Sequence, residues 1–172
     1  MIYPDIKTVP PFYQGYVNLV KNNDLFENLD QSAKITQQLL LKIPESRGTY
    51  AYAPGKWTIK EVLCHMIDTE RIFAYRAMRF ARNDKTPLHG FEENDYAPEA
   101  NAHNRTVADI AAEMNRLRST TIDLYKSFTT EMLQRTGTAN NSAMSVLNLG
   151  FVISGHETHH RNVLSERYDV KL

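Results

Sequence analysis

Near its C-terminal end the chain carries an apolar helical run with histidines set inside it, and this combination narrows the fold more than any other stretch. The run is Gly155-His156-Glu157-Thr158-His159-His160-Arg161, flanked by Phe151-Val152-Ile153 and Val163-Leu164, and it holds three of the six histidines. At about 100° per residue, His156 and His160 project from one face, one turn apart, in line with Val152, Ile153, Val163 and Leu164. Two imidazoles therefore point toward a core. An inward i, i+4 pair can chelate a divalent ion, since both nitrogens reach one metal at about 2.0 to 2.1 Å without distorting the helix. The competing reading is a helix whose histidines only hydrogen-bond within a polar core layer.

The same residues satisfy H-E-x-x-H, the helical signature of zinc proteases in which the Glu is the general base. The context opposes that class. The metzincin extension needs Gly at position 163 and His at 166, where this chain has Val163 and Glu166, and only twelve residues follow His160. A third ligand has to come from upstream.

A length of 172 residues suits one domain with one good core. Lys plus Arg and Asp plus Glu balance at 20 each, so no long-range field draws nucleic acid or an anionic membrane surface. Cys64 is alone, which excludes an internal disulfide framework and suits a reducing cytoplasm. Met1-Ile2-Tyr3-Pro4-Asp5 shows no secretory signal, and no apolar run reaches the roughly 18 residues of a membrane span. The expectation is a cytoplasmic protein.

The remaining pattern predicts an all-α four-helix bundle, as a single domain over 1–172 with a lead-in at 1–23 and the bundle at 24–168. A short helix is expected near Tyr13 to Val20. Asp24 caps the first long helix, with Leu25, Leu29, Ile35, Leu39, Leu40 and Ile43 on its apolar face and Pro44 at its end. Thr58-Ile59-Lys60-Glu61 is a capping box that opens a second helix to about Arg82, with Ile59, Val62, Leu63, Met66, Phe73, Ala77 and Phe80 facing the core and His65 at the margin. The connection from Asn83 to Arg105 shows no period; a stretch this long is either a lid over a site or a packed surface excursion. Thr106 caps a third helix carrying Ile110, Met114, Leu117, Ile122, Leu124 and Phe128. After Thr136 to Asn141, Ser145 caps a fourth helix running to about Tyr168. No segment alternates long enough for more than a small hairpin. Bundle cores are where facing helices build metal sites.

With helices two and four in hand, a resemblance emerges. Gly55-Lys56-Trp57-Thr58-Ile59-Lys60-Glu61-Val62-Leu63-Cys64-His65-Met66-Ile67-Asp68-Thr69-Glu70-Arg71 resembles the second-helix signature of the DinB-like superfamily, which includes the YfiT-type proteins, and Gly-His-Glu-x-His-His-Arg matches its last helix. The similarity spans roughly Leu25 to Tyr168. It implies a four-helix bundle, often a homodimer, holding one divalent ion per protomer. The implied ligands are one His on helix two and an H-x-x-x-H pair on helix four, here His65, His156 and His160. Zn²⁺ or Ni²⁺ suits all-imidazole ligation. Some relatives resemble thiol S-transferases using bacillithiol or a similar thiol, others are described as metal-dependent hydrolases, and many have no known reaction. A three-His site leaves open positions where a thiol or water loses its proton. The expectation is an enzyme passing a small thiol to a small electrophilic substrate. A metal-dependent hydrolase and a non-catalytic metal-binding or dimerising bundle are the alternatives.

Around these ligands, Glu157 reads as a catalytic general base or as an acceptor for an imidazole N–H, against a solvated flank. Asp68 has the same two readings. His159 could replace a ligand, while Cys64 reads as a small buried apolar residue. Trp57 packs at its helix start. Arg71, Arg76 and Arg161 read as salt-bridge partners within the bundle, or one of them binds a substrate carboxylate; His89 and His103 receive no role.

Overall fold

Four capping side chains start the four long helices where the sequence places them. The computed structural model describes residues 3–20 and 24–171, so the first two residues and the end of the expected lead-in lie outside it. Asp24 accepts from Phe26 N and Glu27 N and opens α2, Leu25–Leu40, which follows a short α1, Pro11–Asn18. Thr58 and Glu61 form the complete reciprocal box before α3, Ile59–Ala81. A seven-residue α4, Glu93–Glu99, precedes α5, Val107–Lys126, which is capped by Thr106. After α6, Thr130–Gln134, strands β1, Thr136–Ala139, and β2, Ser142–Ser145, form an antiparallel hairpin. Ser145 then caps α7, Val146–Arg167. The hairpin turns through Asn140 and Asn141 with φ of 49° and 57°, as a two-residue turn with both central residues left-handed demands.

The expected architecture holds: α2, α3, α5 and α7 make the bundle, and none of the described helices is long and apolar enough to cross a membrane. Four details differ. The 83–105 connection is structured, with α4 and a 3₁₀ turn at Ala102–Asn104, and Leu88 pairs with the hairpin by donating to Thr138 O and accepting from Asn140 N. Its polar composition hid this, because α4 is shorter than the window over which a helical period is legible. Ile35 is 36% exposed, off the core face of α2. On α5 the core-facing line is Ile110, Met114, Arg118, Thr121 and Tyr125, while Leu117, Ile122 and Leu124 are half-buried; a buried charge inverts the rule that apolar residues mark the inner face. Last, α7 has no single apolar stripe. Every residue from Val146 to Glu157 is buried, because α1 covers a side that α2 and α3 leave open. Gly155 permits that approach, since a Cβ there would sit 2.1 Å from Tyr16 O.

Arg118 is the polar centre of the bundle. It is 4% exposed and donates through Nε and Nη2 to the two oxygens of Glu70 on α3, at 2.9 and 2.7 Å. Through Nη1 it donates to Glu157 on α7 at 2.8 Å and to Leu29 O on α2 at 2.9 Å. Ser32 of α2 donates to the same Glu157 carboxylate. One guanidinium thus joins all four long helices. Removing one member of such a network leaves an uncompensated buried charge, at a cost of about 3–5 kcal/mol. Arg118→Met is accordingly expected to lower the urea unfolding free energy by about that amount, and a loss below about 1 kcal/mol would contradict the central role.

Candidate metal centre

The site forms where α3 faces the middle of α7. His65 comes from the second turn of α3, and His156 and His160 from consecutive turns of α7. His65 and His156 are buried and His160 is half-buried. Their ligand nitrogens all lie within 4.8 Å of one another, and among the described residues no fourth His, Cys, Asp or Glu joins the cluster. The Nε2 atoms of His65 and His160 each lie 3.1 Å from Nε2 of His156.

Three Nε2 atoms arranged around one of their number cannot satisfy one another. A neutral imidazole nitrogen has either one proton or one lone pair, so His156 Nε2 cannot serve both neighbours fully. A cation resolves the conflict. The ligand-to-ligand edge of a tetrahedral ion with bonds of about 2.0 to 2.1 Å is about 3.3 Å, close to the two spacings observed. Burial also keeps the rings uncharged: desolvation, then repulsion from the neighbouring imidazoles, holds His65 down to about 4, His160 down to about 3 and His156 well below its ordinary range. All three therefore present lone pairs at neutral pH, as ligation requires.

Packing positions the rings. Trp57 lies 4.8 Å from His65 between centroids, and its carbonyl is held by the Tyr168 hydroxyl at 2.7 Å. Tyr16 on α1 packs edge-on against His156 at 5.3 Å and His159 at 5.4 Å. His160 Nδ1 is buried without a hydrogen-bond partner, so its ring is set by its aromatic neighbours.

The other expected residues divide. His159 lines the cavity beside the cluster, but its nitrogens do not converge with the other three. Glu157, read from the sequence as a general base or an acceptor for an imidazole N–H, is buried and so is not a solvated flank, and its carboxylate accepts from Arg118 and Ser32. Asp68 faces Arg71, Arg105 and Glu113 and has no bond to His65. Cys64 is buried, and burial pushes its thiol up. Arg71 pairs with Glu113, as expected of a bundle arginine, whereas Arg161 donates to Ser32, Thr36 and Thr158.

Above the histidines opens a cavity of about 230 Å³ walled by Tyr16, Trp57, Phe73, Arg76, Phe91 and Glu93. Phe91 and Glu93 belong to the 83–105 connection, so that segment forms part of the wall, as the lid reading expects. Glu93 could not be found from sequence, for nothing local distinguishes it from Glu92 or Glu99. Arg118 left a signal, a charge on the i, i+4 line through Ile110 and Met114.

The depressed imidazoles give metal-free protein a defined pH dependence. The unfolded chain binds protons near the ordinary 6.5, while the folded chain resists them down to about 4 at His65 and about 3 at His160. Their neutral burial is thus fully tolerated above about 6.5, and stability is lost as pH falls from there toward the folded values. The urea midpoint of chelator-treated protein is expected to drop between pH 7 and pH 4.5, and to drop less when all three are replaced by Gln. Parallel curves for the two proteins would refute the assignment.

Three comparisons bear on this arrangement. No curated protein matches the chain. The structure is similar to that of YfiT from Bacillus subtilis, described as a probable metal-dependent hydrolase with an unusual four-helix bundle topology. The TM-score is 0.68 at 17% identity, over 99% of this chain and 95% of that one. The model of the DinB superfamily matches residues 28–164, a span that includes His65, His156 and His160. On the strength of that match over most of its length, the chain belongs to the DinB superfamily.

Proposed function

We propose that this chain holds one divalent ion, zinc or nickel, on His65, His156 and His160, and hydrolyses an ester or amide of a small molecule bound in the adjoining cavity. The observation that carries the reading is the convergence of three uncharged imidazoles, without a fourth protein ligand among the described residues, at the floor of that cavity. Structural sites are closed by a fourth ligand, whereas catalytic ones keep a position for water or substrate. A bound ion would supply a Lewis acid and lower the pKa of water toward 7.

The chain's own residues supply the rest. Glu93 is the carboxylate on the cavity wall, where it can accept a proton from the nucleophile and return it to the leaving group. Its charge reaches Tyr16, whose hydroxyl is raised first by burial and then by Glu93. Trp57, Phe73 and Phe91 exclude water and give the substrate an apolar bed. Glu157, bound by Arg118, holds α7 in place. The carboxylate on the wall favours hydrolysis over transfer of a thiol, because a metal-ionised thiol needs no base whereas water attacking an acyl group does. The description of YfiT as a probable metal-dependent hydrolase points the same way.

Elemental analysis is expected to find about one zinc or nickel per chain, sharply reduced by Ala at position 65, 156 or 160 and retained in His159→Ala, since two imidazoles alone make a weak site. Chelator-sensitive hydrolysis should appear in a panel of activated esters and anilides. Glu93→Gln should then lower kcat by about 10²- to 10⁴-fold with metal retained. Unchanged kcat in Glu93→Gln removes it as the base. Chelator-sensitive thiol conjugation without hydrolysis would return the assignment to thiol transfer.

A further inference from the structure

Two arginines in this protein are equally buried, each 4% exposed, and they are treated in opposite ways. Arg118 has two carboxylates, Glu70 and Glu157, and nothing to do with the cavity. Arg76 lines the cavity, and among the described residues no carboxylate is paired with it. Its contacts are neutral: Nη2 donates to His89 O at 3.0 Å, Cζ lies 5.6 Å from the Phe73 ring centroid, and Tyr13 lies beside it. A guanidinium cannot shed its proton, so a buried one without a counter-charge is costly unless a partner arrives.

The helix places this cation relative to the histidines. His65, Thr69, Phe73 and Arg76 follow at spacings of four, four and three, so they form one ridge of α3 along the cavity wall. A helical side chain leans toward the N-terminus, and Arg76 accordingly folds back over Phe73 toward His65. The Phe73 centroid is 6.3 Å from that of His156, so with the 5.6 Å step to Arg76 the guanidinium lies within about 12 Å of the His156 ring.

We propose that Arg76 is the specificity residue of the cavity and binds a carboxylate of the substrate, which is therefore a small molecule with a carboxylate at one end and the scissile bond at the other. The assignment deepens the hydrolytic reading and rests on it for the bond that is cleaved. One cation matches one carboxylate. Glu93 does not neutralise Arg76: its charge is felt at Tyr16, whereas burial lowers the Arg76 guanidinium with only Tyr13 opposing. His159, the remaining titratable group at the wall outside the cluster and the tyrosines, carries no negative charge in either protonation state and so cannot neutralise Arg76.

Binding without turnover tests this separately from hydrolysis. Zinc-loaded full-length protein is titrated calorimetrically with straight-chain dicarboxylates from succinate to suberate, each against its own monoamide, which keeps one carboxylate for the metal end and replaces the other by a neutral isostere. At the best-fitting length the diacid is expected to bind about 10- to 100-fold more tightly than the monoamide, the usual range for a charged hydrogen-bonded pair. Arg76→Met should bring that ratio close to unity without changing the affinity of the monoamide, and should leave the melting temperature unchanged or raised. Arg76→Lys, which keeps the charge but not the planar fork, should retain part of the preference and serves if the Met variant does not fold. A ratio unchanged in both variants, or equal weakening of diacid and monoamide, overturns the proposal; the latter would mean that Arg76 only pins the 83–105 segment through His89. Where the diacid preference depends on Arg76 but no ester or amide is turned over, the carboxylate site stands and the hydrolytic reading falls alone.

Discussion

The rest of the structure depends on how Arg118 is neutralised inside the bundle. Its three hydrogen-bonding nitrogens reach Glu70, Glu157 and Leu29 O, so α2, α3 and α7 are all registered against α5 at one point. Apolar packing alone would allow helices to slide by a residue at modest cost, because Leu, Ile and Val contacts are not directional. A bidentate ion pair does not slide. Glu157 immediately follows His156 in sequence, so the interaction that sets the rotation of α7 about its axis also sets the direction in which His156 points.

That coupling explains why polar chemistry survives in so buried a helix. Over its first three turns α7 is enclosed by α1, α2 and α3, an environment that ordinarily selects apolar side chains on every face. Here Glu157 and the imidazoles of His156 and His160 look in different directions. The carboxylate is matched by Arg118, while the imidazoles stay neutral by desolvation and face His65. Tyr16 closes the remaining side, and α1 comes this close only because position 155 has no Cβ.

The 83–105 segment turns the histidine cluster into a site with a cavity. It is anchored at Leu88 to the hairpin and at His89 to Arg76, and from those anchors it brings Phe91 and Glu93 over the opening. The hairpin contributes Asn140 from its tight turn to the same wall. Elements that look incidental to a four-helix bundle thus define what the histidine end of the bundle can accept.

By itself the sequence determined the helices and the ligand geometry within them. Asp24, Thr58, Thr106 and Ser145 each start a helix because their side chains accept from N–H groups that the first turn leaves free, a local interaction legible from residue type. The i, i+4 spacing of His156 and His160 put both on one face for the same local reason, and the motif around His65 supplied the third. What tertiary structure decided was everything set by partners distant in sequence. Glu157 could be read as base, acceptor or solvated flank until Arg118, 39 positions earlier, was found beside it. Ile35 yielded its core place to polar neighbours, and Leu117 to a charged one, because burial follows the faces that other helices present and not hydropathy alone. Glu93 and Arg76 meet the histidines only in the folded chain, because no periodic pattern along one segment encodes the wall of a cavity built from α1, α3, the 83–105 segment, the hairpin and α7.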